Sequence, residues 1–121
     1  MMEQLREWCT AQPNAQEVYM DSWAAYKYTI GDKMFAMLGK DKSQQPILSL
    51  KCDVQKAELL RQQYNSIQPG YYLNKQHWIS IYYTDREVSS ELIEQLIRGA
   101  YTIVFRSLTK KKQAELSQVN D

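Results

Sequence analysis

Between Ser89 and Leu108 the apolar residues fall into two parallel rows, Leu92, Leu96, Ala100, Val104, Leu108 and Ile93, Ile97, Tyr101, Phe105. Repeats of four residues stack on one side of an α-helix, and two adjacent rows make a face too wide to stand in water. A helix capped by Ser89 or Ser90 is therefore predicted here, and it requires a broad apolar partner. The middle of the chain supplies one. Tyr26 to Ile30 and Met34 to Leu38 read as strands joined across Gly31 and Asp32, where a glycine opening a two-residue connection predicts a type II′ hairpin. Ile47 to Cys52 is a third strand after a polar loop from Gly39 to Pro46, and His77 to Thr84 is a fourth after the Pro69-Gly70 turn.

Two further helices complete the pattern. Met1, Leu5, Trp8 and Cys9 share one face of a first helix that stops at Pro13-Asn14. Asp53 caps a middle helix whose inward positions are Val54, Ala57, Leu60 and Tyr64. The fold class expected is α+β: an antiparallel sheet of about four to five strands packed by an N-terminal helix, a middle helix and a long C-terminal helix. Residues 1–121 are read as one domain, since 44% hydrophobic and 24% charged residues give a chain of this length the apolar surface for a single core.

The formal net charge of +1 excludes a strong whole-molecule field toward nucleic acid or anionic membrane, so a charged partner must be met by a local patch. Met1-Met2-Glu3-Gln4 opens neither a basic leader nor an apolar signal stretch, and no run approaches the roughly 20 apolar residues of a membrane span. A cytoplasmic protein without a membrane segment is expected. Cys9 and Cys52 fall on different elements and read as reduced, half-buried thiols.

No catalytic or metal constellation is visible. Catalysis by imidazole needs a tuned partner, and the single histidine, His77, has none in the sequence. No His, Cys and carboxylate cluster has metal-ligand spacing, and no glycine-rich phosphate loop is present. We expect no enzyme, no cofactor and no metal. Alternation does mark one surface. With Leu48, Leu50, Cys52, Ile79, Ile81, Tyr26, Tyr28 and Ile30 inward, the other sheet face carries Ser49, Lys51, Trp78, Ser80, Tyr82, Lys27 and Thr29. Lysines among aromatics are the equipment of a nucleic-acid binder, through phosphate contacts and base stacking. The competing reading covers Trp78 and Tyr82 with the first helix. A second basic stretch, from residue 98 to 112, holds Arg98, Arg106, Lys110, Lys111 and Lys112 with no acid; it is a phosphate footprint or simply a complement to the dipole at a helix C-terminus.

Several blocks in this order resemble the MmcQ/YjbR family, from about Gly31 to Leu116. They are Lys33-Met34-Phe35-Ala36, Leu50-Lys51-Cys52-Asp53, Gly70 to Trp78 with its Leu-Asn-Lys-x-His-Trp core, and Ala100-Tyr101 through Val104 to Leu108. The resemblance implies a CyaY-like, or double-wing, arrangement and a DNA-binding role assigned by analogy of fold. Three positions depart from the family pattern: Trp23 stands in a segment that often has an aromatic-glycine pair, Val54 where a proline is common, and Ala100 where a serine is usual. Glu3 and Glu7 alone do not reproduce the acidic first helix of the similarly folded frataxins, so iron binding is not carried over.

The residues expected to bind nucleic acid are Lys33, Lys51, Lys75, Trp78, Arg106, Lys110, Lys111 and Lys112. Asn74, His77 and Tyr101 are a structural or ligand-site motif, with Asn74 fixing the turn that aims Lys75, His77 and Trp78. Partners expected are DNA or, alternatively, another protein meeting the same surface; a small-ligand site near Asn74 and His77 ranks behind both.

Overall fold

Leu5 and Cys9, one helical turn apart, are the buried residues of α1 (Met2–Thr10), which rests its apolar stripe on the inner face of a sheet. A computed structural model describes residues 1–119. After α1 come β1 (Gln16–Met20), β2 (Ala25–Ile30), β3 (Lys33–Lys40), β4 (Pro46–Lys51), α2 (Val54–Gln63), β5 (Ile67–Pro69), β6 (Trp78–Ile81), a 3-10 turn (Tyr83–Asp85), α3 (Ser90–Ser107) and α4 (Lys110–Val119). The strands form one antiparallel sheet in the order β1-β2-β3-β4-β6-β5.

The α+β class and the three expected helices are present, and the sheet has six strands rather than four to five. The two additions are edge strands. β1 leaves Gln16, Val18 and Tyr19 exposed, and β5 has three residues, so neither shows the alternation of a half-buried strand. Asp53 caps α2 by accepting from the Lys56 N–H at 3.2 Å, and Ser89 caps α3 by accepting from Leu92 at 3.2 Å. Ala57 and Leu60 are buried on α2 as expected, whereas Val54 is exposed and Tyr64 lies just beyond the helix.

Two local expectations are corrected. Gly31 and Asp32 both have positive φ, +56° and +69°, which is the pattern of a type I′ turn rather than II′. The C-terminal helix ends at Ser107, and the chain turns through an extended Leu108 into α4. Leu108 is buried against the β2–β3 turn, where a Cβ on Gly31 would come within 3.0 Å of it; burying this leucine breaks the helix.

All three major helices pack on one sheet face. Ile93, Leu96, Ile97, Ala100 and Val104 of α3 meet Tyr28, Ala36, Leu38, Leu48, Leu50, Ile79 and Ile81 in the core. Between the pairs Tyr28↔Ala36 and Thr29↔Met34, β3 has one residue more than β2, a β-bulge that adds the fully buried Phe35 to this core. The opposite face is also dry at its centre. Met37, Ile47, Ser49, Trp78 and Ser80 are buried there, under the loop of residues 70–77.

Candidate nucleic-acid interface

Antiparallel pairing decides which charges meet. β3 starts where β4 ends, so Lys33 and Lys51 stand at the same end of the sheet. β6 starts there too, with Trp78 paired to Lys51. The first turn of α4 arrives at this end, and Lys112 Cε lies 3.5 Å from where a Cβ on Gly31 would be. Lys33, Lys51 and the Lys110 to Lys112 turn thus stand at one end of the sheet, drawn from β3, β4 and α4. Two acids, Asp32 in the turn and Asp53 at the α2 cap, share this end. None of these lysines forms an ion pair among the described residues.

The three lysines occupy the start of a helix, not the tail of one. Thr109 caps α4, its Oγ1 accepting from Lys112 N at 3.1 Å. A cationic first turn opposes the helix dipole, so the proposed complement to a helix C-terminus does not apply to α4 itself. Arg106 is exposed on the last turn of α3, and its carbonyl accepts from Gln113 Nε2 at 3.4 Å.

Trp78 is placed differently from the expectation. It is only 7% exposed, and α1 does not cover it, because α1 lies on the other face. Gly70 lies beside Trp78 as the next rung of the β5–β6 ladder: a Cβ there would sit 2.6 Å from Trp78 Cβ, and Gly70 N donates to Trp78 O at 2.9 Å. The ring serves as a partner for Lys51, whose Nζ is 5.6 Å from its centroid, and offers no stacking platform to a base. Ser49 and Ser80 likewise point to the outer face but are buried, bonded Oγ to Oγ at 2.7 Å, with Ser80 Oγ also accepting from Tyr71 N at 2.9 Å.

Asn74 is a turn former. Its Oδ1 accepts from Gln76 N at 2.9 Å and His77 N at 3.0 Å, so it is committed to the backbone. Lys75 Nζ closes the same loop on Gly70 O at 3.2 Å. His77 is exposed, and its carbonyl accepts from Cys52 N at 2.9 Å, lengthening the β4–β6 ladder. Tyr101 ties α3 to the start of the chain: its hydroxyl donates to Pro13 O at 2.8 Å and its ring packs edge-on against Phe35. Both cysteines are free and buried, deeper than the half-burial expected. Burial pushes the Cys9 thiol up to about 12 and raises that of Cys52.

A charged network outside the sequence expectations joins α1 to the sheet edge. Arg6 binds Glu17 through Nε and Nη2, both at 3.0 Å, and lies 4.2 Å above the Tyr26 ring. Tyr28 donates to the same carboxylate at 2.7 Å. The Arg6 bond holds Glu17 below the usual carboxylate range, and burial raises the Tyr28 phenol. Also absent from those expectations is a cleft of about 510 Å³ at the end of the sheet opposite the lysine cluster, between Trp23 and Tyr72. Its aromatics are far apart in sequence and lie in turns, where no periodicity points to them. Among the described residues, no three His, Cys, Asp or Glu side chains are placed to hold a metal ion, and no helix is long and apolar enough to cross a membrane.

An open six-stranded antiparallel sheet with helices packed on one face defines an α+β protein. The chain belongs to the YjbR family, whose model matches residues 10–103. It is 32% identical to the Escherichia coli K12 protein YjbR over 118 residues, covering 98% of both chains. It is 42% identical to YbdF of Escherichia coli O157:H7 over 86 residues, 71% of this chain and 69% of that one. A Deinococcus radiodurans crystal structure with a DUF419 domain superimposes with a TM-score of 0.85 at 35% identity, covering 97% of this chain and 88% of the other. A Pseudomonas syringae structure at 17% identity and TM-score 0.74, covering 86% and 98%, shares the fold. None of these names states a ligand or an activity.

Proposed function

We infer that this protein is a non-enzymatic, cytoplasmic DNA-binding module that contacts the phosphate backbone with the lysine-rich end of its sheet. The observation that carries the reading is that Lys33 and Lys51 stand at the end of the sheet where α4 begins, with Lys112 packed beside the Gly31 turn and Lys110 and Lys111 in the same first turn of the helix. Lysines free of carboxylate partners can each neutralise a phosphate and release its counterions, which gives affinity without reading sequence. Because Trp78 is buried, stacking contributes nothing at this end, so the lysine end should hold duplex and single-stranded DNA comparably.

Lys33 and Lys111 are exposed and make no side-chain hydrogen bond or ion pair among the described residues, so reversing them leaves the fold intact. In fluorescence anisotropy at about 50 mM salt, the double variant Lys33→Glu, Lys111→Glu should lose duplex binding while its thermal melt is unchanged. Undiminished binding by that variant would reject this surface.

A second reading has an observation of its own. β1 is an edge strand whose Val18 and Tyr19 are 43% and 50% exposed, a surface on which another protein could add a strand. Under this alternative the chain is a protein-interaction module, and the charge reversals leave its association untouched.

A further inference from the structure

We propose that the cleft between Trp23 and Tyr72 is a binding site for a planar aromatic anion of nucleotide size. This site is separate from the lysine cluster and does not depend on the DNA-binding reading. Its volume, about 510 Å³, falls within the range of small-molecule sites. Its floor is the outer face of β2, β3 and β4, at Ala25, Met37, Gly39 and Ile47. Gly39 keeps that floor low, since a Cβ there would come within 3.0 Å of Ala25 Cβ.

The walls come from opposite flanks of this floor. Trp23 stands in the β1–β2 turn and is 56% exposed; Tyr72 stands in the loop that returns from the β5–β6 side and is 66% exposed. Large aromatics left in water on both sides of a concave apolar floor are what a flat ring would cover. The loops are pre-set. Tyr71 accepts from Lys42 N at 3.0 Å and gives its own N–H to Ser80 Oγ, and its ring packs edge-on against Tyr72 at 4.3 Å. Three lining residues, Ala24, Gln44 and Tyr72, have φ of +50°, +66° and +64°, so each of the three loops around the cleft holds a left-handed residue at its rim.

Charge at the rim selects the ligand's sign. Lys40 and Lys42 are exposed lining residues with no ion pair among the described residues. The lining carboxylate, Asp41, is engaged on both oxygens: Oδ1 accepts from Ser43 N and Gln45 N, and Oδ2 from Tyr82. The two ammonium groups outweigh its single charge. A ring to cover Trp23 and Tyr72, joined to an anionic group for the lysines, describes a nucleoside monophosphate, either free or as part of a strand.

Titration of the full chain with adenosine monophosphate, followed by proton–nitrogen NMR, tests this directly. The Trp23 indole N–H and the amides of Ala24, Lys42 and Tyr72 should shift along one saturable curve, while the indoles of Trp8 and Trp78 stay in place. Trp23→Ala and Tyr72→Ala, both at exposed positions, should each weaken binding about tenfold, the scale of a lost stacking contact. Lys40→Glu with Lys42→Glu should reduce monophosphate binding to the level of adenosine, and inorganic phosphate alone should not move the Trp23 signal. A short oligothymidylate that shifts the same signals more tightly than the monophosphate identifies a strand as the source; weaker shifts identify the free nucleotide. The Lys33→Glu, Lys111→Glu variant should bind the monophosphate normally, which separates this site from the DNA-binding end. No saturable shift up to about 10 mM, a ligand concentration well above a millimolar Kd, or full binding by both aromatic variants, would overturn the proposal.

Discussion

Trp78 and Glu17 show how single side chains decide which surfaces of this protein are available. Alternation along β4 and β6 correctly assigns Ser49, Lys51, Trp78 and Ser80 to the outer face, but alternation cannot tell whether that face is wet. Met37 and Ile47, apolar residues on the same face, were the sign in the sequence that something covers it. The loop of residues 70–77 opens at Gly70, whose missing side chain lets the chain pass tight against Trp78 Cβ and the Asn74 carbonyl. Gly70→Ala should therefore destabilise the protein by about 1–3 kcal/mol through overpacking, read as a lowered denaturant midpoint. An unchanged midpoint would mean that the loop moves freely off Trp78.

Glu17 gives a prediction on pH. Its pKa is depressed in the folded protein, chiefly by Arg6 with a further contribution from Tyr28, so the unfolded chain binds the proton more readily. The stability it contributes is present above the unfolded carboxylate value of about 4.3 and is lost as pH falls through the folded one. Asp41, Asp85 and Glu87, held low by hydrogen bonds from backbone and from Tyr82 or Ser66, act in the same direction. Thermal melts should show Glu17→Gln closing its stability gap to the parent as pH drops from neutral to about 3, below the usual range for glutamate. A gap that stays constant with pH would show that the Arg6–Glu17–Tyr28 bonds contribute nothing through charge.

At the scale of elements, α1, α2 and α3 were legible, while α4 and the edges of the sheet were not. The double apolar row of α3 is long and periodic, and its Ile93, Leu96, Ile97, Ala100 and Val104 are all buried. Leu96→Ala should cost about 2–5 kcal/mol, the range for a leucine truncated in a packed core, and a circular-dichroism denaturation curve would measure it. A shift of less than about 0.5 kcal/mol, the scale of a surface substitution, would place Leu96 outside the core. The break between α3 and α4 escaped the periodicity because Leu108 continues the apolar row. The row is served by folding the chain back over Gly31, a tertiary contact with no local signature. β1 was hidden for a different reason: an edge strand that exposes Val18 and Tyr19 has no dry face to create alternation.

Over the whole molecule, a net charge of +1 conceals a local grouping of charge. The sheet register and the α3–α4 turn bring Lys33, Lys51 and Lys110 to Lys112 to one end, while Asp41, Asp85 and Glu87 fasten loops toward the other, where Lys40 and Lys42 also stand. The basic residues were visible in the sequence, but their assembly was not, because Lys33, Lys51 and Lys110 to Lys112 are joined only by strand pairing and the α3–α4 turn. The measurement that tests the DNA-binding account most directly is the salt dependence of duplex affinity. A footprint of about three to five phosphates predicts a slope of log K against log salt of about −3 to −5, with micromolar affinity at about 50 mM salt fading near physiological ionic strength. A slope near zero, or no binding at about 50 mM salt, where the Debye length still exceeds about 10 Å, would contradict it.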